Sequence, residues 1–165
     1  MKILVLSDSH SALSFMEECV EAVKPDAILH LGDYYDDGET IRNLYPKIRF
    51  LQVPGNCDAF RCDPKAPQVI ITKLFGVNIY MTHGHLHYVK SDLFRLLRDA
   101  RQAHVDVVLY GHTHIDDCHL EEDGLWVLNP GTCGYGCRTA GLIETEDDRI
   151  KRCRILRSEN LEEFR

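Results

Sequence analysis

No stretch of this 165-residue chain holds the ~18 consecutive apolar residues that a membrane-spanning helix requires, so no membrane insertion is expected. No secretory leader is expected either. The opening MKILVLSDSH offers only a short apolar run before Asp8, and a cytoplasmic location is expected. Excess positive charge is absent too: 19 Lys and Arg stand against 26 Asp and Glu, a formal net charge of −7. That balance argues against nucleic-acid binding through bulk electrostatics, though a local positive site is still allowed. A paired-cysteine framework is lacking. The seven cysteines are odd in number and scattered, as expected of free thiols in a reducing compartment. Cys133 and Cys137 form one CxxxC pair, but no second pair completes a zinc site. Internal repeats, low-complexity tracts and linkers are also lacking, which points to one domain over 1–165. A chain of this length buries ~70% of its unfolded surface, enough for a core without staples.

What is present is an alternation of short apolar runs and helical patterns. Residues 2–7, 26–31 and 48–53 read as buried strands. Between them, 12–23 places Leu13, Met16, Cys19, Val20 and Val23 on one helical face, and 39–45 suits a short helix. This order predicts a parallel α/β sheet. Segments 68–74 and 77–82 flank Phe75-Gly76 as a hairpin. Residues 89–102 predict an amphipathic helix with Leu93, Leu96 and Leu97 inward, and 106–110 a further buried strand. The segments 115–121, 124–128, 140–146 and 149–156 are joined by turn residues and read as antiparallel strands. The tail from 157 carries mixed charge and no clear pattern. The expected fold class is α/β: two mixed sheets packed face to face with helices outside.

The chemistry-bearing residues follow the strands. After the first comes Asp8-Ser9-His10, after the second Gly32-Asp33, and after the third Gly55-Asn56-Cys57-Asp58. The strand at 77–82 runs into His83-Gly84-His85, and that at 106–110 into Gly111-His112-Thr113-His114. Each motif alone is commonplace as a cap or turn. Five at the carboxyl ends of strands can converge on one point, because those ends line the ligand crevice of open α/β sheets. If Asp8-x-His10 stays extended, both side chains face the same way, and the same holds for His112 and His114. Gly111 is expected to let its strand turn sharply. His30 lies within a strand, where a structural role is expected; His104 and His119 are expected in solvent.

In order, these motifs resemble those of the calcineurin-like metallophosphoesterase superfamily: D-x-H, GD, GN-[HC]-[DE], a strand-end His, and GHxH. The compact length, and Asn129-Pro130-Gly131-Thr132, resemble the small YfcE-type phosphodiesterases within it. The resemblance implies a four-layer αββα sandwich, a hydrolase acting on phosphate esters, and two divalent metal ions. Asp8, His10 and His114 would hold the first; Asn56, His83 and His112 would hold the second; Asp33 would bridge them. A carboxylate can span two cations ~3.5–4 Å apart. The mixed nitrogen and oxygen donors favour Mn²⁺, with Ni²⁺, Zn²⁺, Fe²⁺, Co²⁺ or Mg²⁺ as alternatives. Two dications outweigh Asp8, Asp33 and one hydroxide, so the site is positive within an acidic chain and suits a small phosphate ester.

The family reading implies attack by a hydroxide that bridges the metals. Asn56, Cys57, Asp58 and His85 form the candidate catalytic group around it. Many relatives carry His where Cys57 stands, as a proton donor to the leaving group. Cysteine, with a reference pKa of ~8.5, is a poorer donor. His85 is a candidate substitute, and Asp58 is expected to fix the loop. A phosphomonoesterase on the same site is one alternative; Arg61, Lys65 and Arg138 are candidate cations for the extra phosphate charge. A non-catalytic interaction scaffold is another, and a nuclease a third. The exposed edges of such a fold are compatible with a homo-oligomer.

Overall fold

Strand β1 (Lys2–Leu6) has apolar side chains on both faces, and all of Ile3, Leu4, Val5 and Leu6 are fully buried. A strand of this kind needs cover on both sides, and it receives it from different partners. Ile3 and Val5 join a core between two sheets, with Leu29, Ile79, Met81, Val107 and Leu109. Leu4 and Leu6 face the other way, onto Phe15, Met16, Cys19, Val20 and Val23 of helix α1 (Leu13–Val23). The two-residue period of the strand thus assigns alternate side chains to different cores. Each fully buried Leu or Ile contributes about 1.5–3 kcal/mol.

This computed structural model describes residues 1–164. Its first sheet adds β2 (Ala27–His30) and β3 (Arg49–Gln52), parallel to β1, and β9 (Thr139–Glu146) and β10 (Arg149–Arg157), antiparallel; the order is β10-β9-β1-β2-β3. The second sheet has the order β4-β5-β6-β8-β7, from β4 (Val69–Leu74), β5 (Val77–Thr82), β6 (Val107–Leu109), β7 (Asp117–Leu120) and β8 (Trp126–Asn129). Helices α1 and α2 (Tyr35–Leu44) cover the first sheet. Helix α3 (Phe94–Gln102) covers the second through Leu96 and Ala100, with Leu93 and Leu97 alongside. The expected αββα layering is therefore observed. Among the described residues no helix is long and apolar enough to cross a membrane.

Four details differ from the sequence expectation. Helix α2 starts at Tyr35, four residues before the expected start, and α3 at Phe94, five residues after it. A 3₁₀ turn (His85–His87) and a left-handed Tyr88 redirect the chain, so the amphipathic pattern from 89 is not continued as helix until Asp92 Oδ1 accepts the N–H of Phe94. Strand β8 pairs parallel with β6 rather than lying only in antiparallel company. Its WVLN residues are more deeply buried than the DCHL of β7, so β8 takes the interior position and β7 the edge. The tail is not structureless: Ser158–Phe164 forms 3₁₀ turns whose Leu161 and Phe164 join the α1 side of the core.

Candidate metal centre

Because β1, β2 and β3 are parallel within one sheet, and β5, β6 and β8 within the other, their carboxyl ends open at the same end of each sheet. The loops there are tied together through backbone bonds. The N–H of Asp8 donates to the carbonyl of Gly32 (2.9 Å), and that of Gly111 to His83 (2.9 Å). The chain does not stay extended on leaving the strands. Asp8, His10, Asp33, His112 and His114 all have left-handed backbones, with φ of 52, 44, 58, 69 and 60°. The convergence of Asp8 with His10, and the presentation of His112 and His114, therefore arise from turns, not from strand alternation as expected. Left-handed residues other than glycine each cost ~1 kcal/mol or more, and such strain concentrates at functional sites. Gly111 does not have a positive φ; it is needed for space, since a Cβ there would run into the Ser7 hydroxyl and the Asp8 carboxylate.

Asp8, His10, Asp33 and His114 place one donor atom each within 4.8 Å of one another. Asp8 is fully buried, and its Oδ1 has no hydrogen-bond partner, although His114 Nε2 lies 3.0 Å away. His10 Nε2 is also buried without a partner. Burial would raise the pKa of Asp8, but His114, His83 and the Ser7 hydroxyl (2.5 Å from Oδ2) outweigh it and hold the carboxyl below its usual range. The Asp8 contact in turn raises the pKa of His114, against the effect of burial.

Asn56, His83 and His112 gather beside this cluster. His83 is fully buried, and its Nδ1 lies 2.9 Å from the Leu31 carbonyl, which can only accept. Nδ1 therefore donates its proton to that carbonyl, which turns Nε2 toward the centre. Nε2 faces two acceptor oxygens, Asn56 Oδ1 at 3.1 Å and Asp33 Oδ1 at 3.6 Å. Two acceptor oxygens gathered on one ring nitrogen suit a cation between them, and the backbone-anchored imidazole is how proteins orient a metal-binding histidine. The His112 ring lies 5.0 Å from that of His83. Burial, with the His83 charge adding to it, pushes His112 down to about 4, so its lone pair is free at neutral pH. The donor set and its unpartnered atoms fit divalent metal ions.

The candidate catalytic residues separate into different surroundings. Asp58 is fully buried, and its carboxylate accepts four backbone N–H groups, from Asp33, Tyr34, Tyr35 and Gly55 (2.8–2.9 Å). It fastens the Gly32-Asp33 and Gly55-Asn56 loops together and satisfies the start of α2, whose own N-cap has no side-chain bond. Cys57 is exposed, and burial and then Asp33 push its thiol up, so it keeps its proton at neutral pH. His85 lies with its ring 5.4 Å from His83 and 6.1 Å from His112. Burial and His83 lower its pKa, and its Nδ1 has no partner.

Sequence reading missed the residues that hold the loops from behind. Asn129 Nδ2 donates to the Gly111 carbonyl (3.2 Å) and to Thr113 Oγ1 (2.9 Å), and Thr132 Oγ1 donates to the Asp8 carbonyl (2.8 Å). The Asn129-Pro130-Gly131-Thr132 turn was the available signal, without the contacts. His30 is fully buried, near Ser9 Oγ (3.2 Å) and the Gly32 N–H, and has the structural role expected. His104 is exposed as expected. His119 is not simply solvated: its ring bridges Asp117 and Glu121 at 2.9 and 3.1 Å, the residues two positions before and after it along β7 and its end. Arg61 pairs with Asp36 (3.0 Å) and stacks over Tyr34, so it is already engaged.

A domain of this architecture with such strand-end ligands is a metallophosphoesterase domain, and comparison with known proteins agrees. The profile of the calcineurin-like phosphoesterase superfamily domain matches residues 1–148, and the chain belongs to that superfamily. It is 32% identical over 170 residues to the phosphodiesterase MJ0936 of Methanocaldococcus jannaschii, covering 88% of this chain and 94% of that protein. A predicted phosphoesterase from Streptococcus pneumoniae superposes with a TM-score of 0.70 at 26% identity, over 94% of this chain and 97% of that one. The Escherichia coli phosphoesterase YfcE shares the fold, with a TM-score of 0.64 at 19% identity over 93% of this chain and 98% of that one.

Proposed function

We propose that the protein is a phosphodiesterase that uses two divalent metal ions, Mn²⁺ being favoured. The observation that carries this reading is the meeting of His83 Nε2, Asn56 Oδ1 and Asp33 Oδ1 beside the Asp8, His10, Asp33 and His114 cluster. Asp8, His10 and His114 would hold one ion and Asn56, His83 and His112 the other, with Asp33 available to both. When bound, such ions supply an acidified water and neutralise charge on the phosphate oxygens.

The remaining work falls to side chains. Asp33, 2% exposed, is fixed by its backbone bond to Asp58 and accepts the Cys57 N–H on Oδ1 (2.9 Å). His83 is oriented through Leu31, and His112 stays neutral, so His112 need not lose a proton before acting as a ligand. His85 holds a neutral ring beside the centre and donates its N–H toward the departing ester oxygen. Neither that N–H nor the raised Cys57 thiol is a strong acid. Esters with good leaving groups are therefore expected to turn over fastest.

The test compares bis-p-nitrophenyl phosphate with p-nitrophenyl phosphate, using metal-free protein and protein reconstituted with each candidate ion. The reading expects metal-dependent turnover, with the diester preferred. Faster hydrolysis of the monoester identifies a phosphomonoesterase, and no hydrolysis with any ion bound leaves an interaction scaffold.

A further inference from the structure

Two cavities border the candidate centre. One, of about 430 Å³, is lined by Asn56, Asp58 and His85. The other, of about 660 Å³, is lined by Val89, Lys90, Tyr110, Thr113 and Ile115, with Asp116 and Asp117 farther along the chain. Thr113 stands between His112 and His114, so this second cavity adjoins the centre through the ligand loop itself. A phosphodiester has two arms, and the centre has a cavity for each. The arm that departs belongs over His85, the group that offers it a proton. The arm that stays on phosphorus is left with the larger cavity.

The charges around that larger cavity are unequal in their engagement. Asp116 is held by Arg157 through two contacts of 2.7 and 3.2 Å, and Asp117 lies 2.9 Å from His119. Lys90 is exposed and forms no salt bridge among the described residues, in a chain whose acidic residues outnumber its basic ones by 26 to 19. It lines the same cavity as Thr113, the residue between His112 and His114. Helix α3 starts only at Phe94, so Lys90 sits on the preceding loop and not on a helix face. Ile115 is 72% exposed and Tyr110 nearly buried, which gives the cavity an apolar wall beside a cation without a salt bridge among the described residues.

Resting on the phosphodiesterase reading, we propose that this second cavity binds the retained arm of the substrate and that Lys90 recognises an anionic group on that arm. The substrate class is then a phosphodiester with a second negative group, such as a further phosphate, on the side that is not released. Lys90 is a specificity residue here, and a point charge on a flexible stem suits a phosphate that need not be held bidentately.

The experiment uses the metal-reconstituted protein and two substrates with the same leaving group, thymidine 5′-(p-nitrophenyl phosphate) and its 3′-phosphorylated counterpart. A charge-assisted contact predicts a KM about tenfold lower for the 3′-phosphorylated compound. Lys90→Met is expected to bring the two KM values within about twofold of each other, and Lys90→Arg to keep most of the difference. Equal KM values in the unaltered protein overturn the proposal. So does a Lys90→Met loss that is the same for both substrates, which would assign Lys90 to the reacting phosphate. Release of p-nitrophenolate from neither compound nor from bis-p-nitrophenyl phosphate overturns the phosphodiesterase reading itself, a result distinct from turnover without preference.

Discussion

The two halves of the candidate centre solve the same problem with opposite chemistry. The Asp8, His10 and His114 half is built around a buried carboxylate held below its usual pKa, and the imidazole beside that carboxylate is pulled upward. The Asn56, His83 and His112 half has no carboxylate of its own: an amide, one imidazole locked by a backbone carbonyl and another pushed down to about 4. Asp33 stands between them, 3.6 Å from His83 and within the cluster of Asp8, His10 and His114. The difference shows how a site can gather seven donors without accumulating negative charge that would repel a phosphate.

Removing the shared residue breaks both halves. Asp33→Asn is expected to lower turnover of a diester at least ~100-fold, since each bound metal supplies several kcal/mol of transition-state stabilisation. Near-unaltered kcat at full metal occupancy would contradict the shared role.

Proton titration of the two halves sharpens the comparison. In the chelated protein, NMR titration is expected to find His112 neutral at pH 6 and protonated only near 4, while His114 protonates above the ordinary value of 6.5. The stability consequences have opposite signs. The lowered pKa of His112 means that the unfolded chain binds more protons between about 4 and 6.5, so stability falls as pH drops through that window. The contribution of His114 is fully present below 6.5 and is lost as pH rises through its raised value. That of Asp8 is present above 3.8 and is lost as pH falls through its lowered value. Thermal melts of His112→Ala and His114→Ala across this range should therefore change slope in opposite directions; a common direction would mean that the halves do not differ as described.

The smallest effect is expected at the edge of the neutral half. Cys57→His places a better proton donor beside the centre and should speed esters with poor leaving groups several-fold more than those with good ones. Equal changes for both classes would show that the side chain at 57 does not serve the leaving group.

The layers and the candidate ligands were legible in the sequence because both rest on short-range pattern. Ile3, Leu4, Val5 and Leu6 are apolar on both faces, which already requires a sheet covered twice, and each parallel strand is followed by its chemistry. The turns were not legible. Asp8, His10 and His112 adopt left-handed backbones that no local pattern announces, and bonds from distant segments, such as Thr132 to Asp8 and Asn129 to the Gly111 loop, help to hold them there. The same limit hid Lys90. Its neighbours continue an amphipathic pattern, and nothing local announces the 3₁₀ turn and left-handed Tyr88 that keep it off the helix. The tail was opaque because its two useful side chains, Leu161 and Phe164, act only through α1 and the strands beneath it.

The central claim is that a charged half and a neutral half each hold an ion. Metal content of the purified, reconstituted chain tests this most directly, measured by mass spectrometry after removal of free ion. The account predicts two equivalents per chain, with one lost in His83→Ala while the Asp8 half stays loaded. A maximum of one equivalent that persists in His83→Ala would contradict it.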